Sequence, residues 1–188
     1  MHPRIQEVLE YLDSTRSDLS NAVEAVSANR REERPGADRW SAAEVLEHLA
    51  IIEGRVTQMV AAKIGAAKAS GLGPDPETSS IVDSIDRKRI ADRSRPVTAP
   101  DLLRPLAETE ATAVWSTLQQ SRTRLREAVV AGDGLALSEI KHAHPVLGLI
   151  NLYQWLVFVG SHEARHTAQI QEIAREFDGH SIAKAEAT

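Results

Sequence analysis

Residues 152–177 read LYQWLVFVGSHEARHTAQIQEIAREF, from Leu152 to Phe177, and this stretch decides the fold. Leu152, Trp155, Val159, His162, His166, Ile170, Ile173 and Phe177 follow steps of three and four residues, the spacing of a helix that buries one stripe. Two histidines stand in that stripe where leucine is expected. Positions i and i+4 lie one turn apart on the same face, so His162 and His166 can share a ligand. A buried imidazole left without a partner costs about 1–3 kcal/mol, and one cation would satisfy both.

Working toward the N-terminus, the same period recurs three times. Ile5, Val8, Leu9, Leu12, Leu19, Val23 and Val26 predict a first helix over roughly residues 3–29. Ser41 and Glu44 form the sequence of a capping box, which starts a second helix at Ala42 and lets it run to about Ala69. Its stripe is Val45, His48, Ile52, Val56 and Met59, again with a histidine among apolar residues. A third helix is expected over about 110–130 through Val114, Leu118, Leu125 and Val129, ended by Gly132-Asp133-Gly134. The arginines Arg122, Arg124 and Arg126 read as its solvated face. Asn151 is a good cap for the fourth helix, and residues 179–188 read as a frayed tail.

Residues 70–108 interrupt this pattern. Gly71, Gly73, Pro74 and Pro76, then Pro96, Pro100 and Pro105, keep the chain out of a long helix, with room for a short one around Ile81, Val82, Ile85 and Ile90. A connection this long can traverse a bundle from end to end. Residues 135–150 read as a looser segment, and no alternating strand pattern of useful length is seen. The expectation is one all-α domain over residues 1–188: a four-helix bundle with a long crossover between helices two and three.

Composition narrows the function. The 188 residues carry a formal charge of −5, which supplies no field for nucleic acid. There is no cysteine, so disulfides, thiolate ligands and a cysteine nucleophile are excluded. No apolar run is long enough to cross a bilayer and the N-terminus has no signal-peptide core, so a cytoplasmic protein is expected.

His48, His162 and His166 all fall on stripes that face one core. Three neutral imidazoles with a free position make an open site for zinc; nickel, iron, manganese and copper suit similar donors. His162-Glu163-Ala164-Arg165-His166 also has the form H-E-x-x-H of zinc peptidases, with Glu163 as general base, but the extended motif is broken at Gln169 and Glu172. Outside that reading Glu163 is a partly solvated helix residue or a support for a ligand. The paired E-x-x-H motifs of a di-iron bundle are absent. His142 and His144 either line the site entrance or are loop residues; Trp40 and Trp155 read as core anchors beside the site.

Arg39-Trp40-Ser41-Ala42-Ala43-Glu44-Val45-Leu46-Glu47-His48-Leu49 resembles the start of the second helix in the DinB-like family of damage-inducible helical bundles. His144-Pro145-Val146-Leu147-Gly148, Tyr153-Gln154-Trp155-Leu156, then His162, His166 and Gln169-Ile170, resembles its fourth-helix signature. The resemblance implies a bundle with a long crossover and a divalent metal on three histidines, here His48, His162 and His166. It further implies a metal-dependent transferase or related hydrolase that uses a low-molecular-weight thiol against a small electrophilic substrate, and a homodimer. It does not imply DNA binding. The alternative is a non-catalytic, metal-stabilised bundle that binds a ligand or a partner protein.

Overall fold

The computed structural model describes the chain except for residues 95–96, 107–109 and 187–188, and except for the side chains of 180–186. Helix α1 spans Pro3–Glu24, with proline in its first turn. It is shorter than its apolar period suggested. Ser27 is extended, and Ala28–Arg30 forms a separate 3-10 turn. This turn lets the Arg31 carbonyl accept from the Ala43 amide at 2.9 Å. Helix α2 spans Ala42–Ala69 and opens on the expected capping box, with Ser41 Oγ 3.2 Å from the Glu44 amide and Glu44 Oε2 2.8 Å from the Ser41 amide.

After α2 come a five-residue helix α3 (Arg87–Ala91), a 3-10 turn at Asp101–Leu103, and helix α4 (Ala111–Ala131). Of the apolar residues expected in a short helix here, only Ile90 lies within α3; Ile81 is instead buried as an anchor of the connection. Residues 135–150 are more ordered than their sequence indicated. Strands β1 (Lys141–His144) and β2 (Gly148–Asn151) pair antiparallel with Lys141 opposite Asn151. Gly148, at φ 74°, occupies the left-handed position that the tight hairpin requires. A four-residue strand is too short to show alternation. Helix α5 (Leu152–Glu186) follows directly. Asn151 Oδ1 accepts from the Gln154 amide and Gln154 Oε1 accepts from the Asn151 amide, a reciprocal cap. Of the frayed tail expected over residues 179–188, the backbone of 179–186 continues α5, and 187–188 lie outside the described residues.

Helix α1 packs on α5, and α2 packs on both α4 and α5. The buried apolar residues form two clusters. One joins Ile5–Leu12 of α1, Val56–Ile64 of α2, Leu125 and Val129 of α4 and Leu152–Val159 of α5. The other joins Leu19–Val26, Ala42–Leu49, Val114, Leu118 and Ile170–Phe177. Between them, on all four long helices, lies a layer of polar residues linked by hydrogen bonds, Thr15, Arg16, Glu53, Arg122 and Glu163, whose Glu163 is next in sequence to a histidine of the candidate site.

The connection from α2 to α4 runs along α5. Asp75 accepts from Tyr153 Oη at 3.0 Å, Gln154 Nε2 donates to the Ser84 carbonyl at 3.1 Å, and Arg93 meets Glu172 at 2.7 Å. The chain then returns to α2, where the Leu106 amide donates to Glu47 at 3.1 Å.

Candidate metal centre

His48 is carried by α2, seven positions after its cap, and His162 and His166 by the middle of α5. One nitrogen of each ring lies within 4.8 Å of the others. Ring centroids are 5.3 Å apart for His48 and His162, 4.9 Å for His48 and His166, and 4.6 Å for His162 and His166. His48 and His166 are buried and His162 is half-buried. No carboxylate joins this group among the described residues.

Hydrogen bonds fix two of the rings. His48 Nδ1 lies 2.7 Å from the Leu103 carbonyl oxygen, which can only accept. Nδ1 therefore carries the proton, and Nε2 keeps its lone pair. His166 Nδ1 lies 2.8 Å from Gln169 Oε1. Arg93 Nη1 donates to the same oxygen at 3.3 Å, which identifies that atom as the carbonyl oxygen of the amide. His166 thus also donates from Nδ1, and its Nε2 stands 3.2 Å from His162 Nε2.

Burial pushes all three imidazoles toward the neutral form. For His48 burial outweighs the bond to Leu103, which favours the proton. His162 is held well below the usual range by burial, then by His166 and His48. His166 is pushed down to about 3 by burial and then by His48, against the Gln169 bond. Neutral rings with inward lone pairs are what a divalent cation takes as ligands, and rings anchored through their outer nitrogen are the usual support for such a site. The residues present therefore fit a metal ion.

Aromatic rings surround the cluster. Trp40 meets His48 at 5.0 Å, and Phe158 stacks on His162 at 5.5 Å and 28°. Trp155 is buried and donates Nε1–H to the His142 carbonyl at 3.1 Å. Trp40 thus sits beside the site as the sequence indicated, whereas Trp155 is a core anchor whose ring meets His142, His144 and Phe158. His142 contributes its backbone. His144 is a buried strand residue, whose ring lies 4.2 Å from Phe158 and 4.7 Å from Trp155.

Glu163 corrects a sequence expectation. It is 2% exposed, outside the histidine group, and its carboxylate is bound by α1 and α4. Its Oε1 accepts from Arg16 Nε at 2.6 Å; its Oε2 accepts from Thr15 Oγ1 at 2.6 Å and Arg122 Nη2 at 2.9 Å. Glu53 Oε2 binds the same two guanidiniums, at 2.9 Å and 2.8 Å. A carboxylate held by two guanidiniums is neither partly solvated nor a general base, so the H-E-x-x-H peptidase reading fails. Arg122 is likewise buried, not part of a solvated face; Arg124 and Arg126 are exposed as expected, Arg126 paired with Asp13 at 2.8 Å. The sequence signal for this layer was the interruption of each apolar stripe at one height: Thr15 and Arg16, Glu53, Ser121 and Arg122, Glu163. It becomes visible only when the four helices are aligned.

No solved structure matches this chain. A curated relative, "Uncharacterized protein YuaE" of Bacillus subtilis (strain 168), is 24% identical over 177 residues, covering 90% of this chain and 99% of that protein. The profile of the DinB superfamily matches residues 11–170, a span that contains all three histidines and the connection running along α5. On that match the chain belongs to the DinB superfamily.

Proposed function

We propose that His48, His162 and His166 hold one divalent cation through their Nε2 atoms, and that the protein is a metal-dependent enzyme. In this reading the four long helices form a bundle crossed by the 70–110 connection. The reaction is an S-transfer, or a related hydrolysis, on a small electrophilic molecule. A low-molecular-weight thiol is the co-substrate, as the resemblance to the DinB-like family implies, and the chain has no cysteine to take its place. The observation that carries the proposal is the convergence of three neutral imidazoles, two of them fixed with inward lone pairs, inside an apolar barrel. Zinc is the first choice for three nitrogen donors and a free position, with nickel next.

When bound, the ion supplies Lewis acidity, which lowers the pKa of a thiol or water and polarises a carbonyl. The chain's own residues do the rest. The Leu103 carbonyl and Gln169 hold the His48 and His166 rings in one tautomer and one orientation. Trp40 and Phe158 limit the water beside them. Leu103 belongs to the connection, so the segment that covers the site also orients a ligand. Glu163 is committed to Arg16 and Arg122, so no protein carboxylate serves as the base. A cytoplasmic homodimer is the proposed setting.

The test is metal analysis of untagged protein, joined to a thiol-consumption assay with a panel of small electrophiles. The expected result is about one equivalent of zinc or nickel, lost in His48→Ala, and turnover that needs both thiol and metal. Metal content that stays substoichiometric on zinc or nickel addition and is unchanged by His48→Ala overturns the proposal. Metal-dependent melting without turnover for any electrophile leaves the non-catalytic bundle instead.

A further inference from the structure

His144 is the buried histidine that the three-ring site does not use. It ends β1, and the hairpin turn folds back onto its ring. The Val146 and Leu147 amides both donate to its Nδ1, each at 3.1 Å. An atom that accepts two N–H bonds carries no proton of its own, so a neutral His144 has its hydrogen on Nε2. Burial favours that neutral form. His48 and His166 are fixed the opposite way, with hydrogens outward and lone pairs inward.

The location matters as much as the tautomer. His144 lies edge-on to Phe158 at 4.2 Å, and Phe158 stacks on His162 at 5.5 Å. One phenyl ring thus separates His144 from the cluster. His144 is near enough that its charge would raise the cost of protonating His162. Among the described residues no side chain or carbonyl accepts from its Nε2–H. The atom is not sealed from solvent, so this fixed, unused N–H beside the candidate site is open to an acceptor from outside the chain.

We infer that His144 is a substrate-recognition residue: its Nε2–H donates to a carboxylate or carbonyl oxygen of a molecule whose other end occupies the cation held by His48, His162 and His166. This rests on the metal-site reading above. The hydrogen makes His144 unsuited to be a fourth ligand, because the nitrogen that would ligate is the protonated one. The backbone clamp from the hairpin keeps the donor aimed without help from a second side chain. The preferred substrate or thiol is therefore one with an oxygen acceptor several bonds from the atom at the metal.

The test uses the cobalt-loaded full-length protein, in which thiolate binding is read from visible absorption; the absence of cysteine removes any background. Two probes of equal chain length are compared, γ-mercaptobutyrate and butanethiol, on the wild type and on His144→Asn. Asparagine keeps an acceptor for the Val146 and Leu147 amides and deletes the Nε2 donor, and the melting temperature checks that the hairpin survives. Cobalt affinity and butanethiol affinity are expected to stay within about twofold, while γ-mercaptobutyrate binds about tenfold more weakly, the loss of one hydrogen bond to a charged group. Equal affinities for both probes in variant and wild type overturn the inference and leave the metal site standing, as does an equal loss for both thiols. Cobalt affinity that falls as far as in His48→Ala overturns it by making His144 a ligand. Wild-type protein that takes up no cobalt, or binds neither thiol, removes the metal-site reading and this inference together.

Discussion

Replacing Glu163 by glutamine separates a structural glutamate from a catalytic one. In the wild type its carboxylate takes three donors: Arg16 Nε and Thr15 Oγ1 at 2.6 Å, and Arg122 Nη2 at 2.9 Å. Two guanidiniums face two carboxylates in this layer. Glu163→Gln leaves one positive charge uncompensated and turns one accepting oxygen into a donating amide that confronts donors. Removing one partner of a buried pair costs about 3–5 kcal/mol. The lower end applies here, because Glu53 Oε2 already binds both guanidiniums and its Oε1 has no partner to give up, so Glu53 can turn toward the freed groups. A loss of about 3 kcal/mol lowers the melting temperature of a chain this size by roughly 6–12 °C. The assay is thermal melting of metal-loaded protein by circular dichroism, with metal content measured on the same sample. The double variant Arg122→Met, Glu163→Gln should recover part of the loss, since the charges again balance. A melting point within about 2 °C of the wild type, or full stability with the metal lost, would refute the reasoning and return Glu163 to the site.

Three further outcomes are expected. Gln169→Leu removes the acceptor that orients His166 and should weaken metal binding by about 10–100-fold at unchanged fold, read by competition with a chelator. Metal-free protein should lose stability as pH falls from about 6.5 toward about 3: the unfolded chain takes up a proton on His166 there while the folded one, with His166 pushed down to about 3, does not. His166 contributes about 1.4 kcal/mol per pH unit to that slope, beside the depressed His48 and His162, so urea titrations should show it reduced by that amount in His166→Asn; an identical slope in the variant counts against it. Gly160→Ala would bring a Cβ to 2.5 Å from Tyr11 Cε1, so the Tyr11 ring or α1 with it must shift. Overpacking of this kind costs about 1–3 kcal/mol, checked by denaturant titration, and Tyr11→Leu in the same chain should relieve it.

Much of the architecture was legible because long amphipathic helices advertise themselves. The period of three and four in α2, α4 and α5, the Ser41–Glu44 capping box and the Asn151 cap are local features, and local hydrogen bonding fixes the helix starts. The histidines were legible for a related reason. A polar side chain in an apolar stripe is costly unless satisfied, so His48, His162 and His166 stood out against their own helices. The hairpin of β1 and β2 was missed because four-residue strands carry no period, and the end of α1 because an apolar stripe continues past the residue where the backbone turns.

By itself, then, the sequence determined four long helices, their buried faces and three imidazoles on those faces. Only the tertiary structure decided that the polar breaks in all four stripes meet at one height, which converts Arg122 and Glu163 from surface residues into a buried charge layer. It also decided the tautomers of His48 and His144, because the groups that fix them, the Leu103 carbonyl for His48 and the Val146 and Leu147 amides for His144, come from segments with no helical period at all. The physical reason is range. Burial along one helix repeats with its own pitch and can be read from neighbours in sequence, whereas a hydrogen bond between distant segments leaves no mark on the spacing of either.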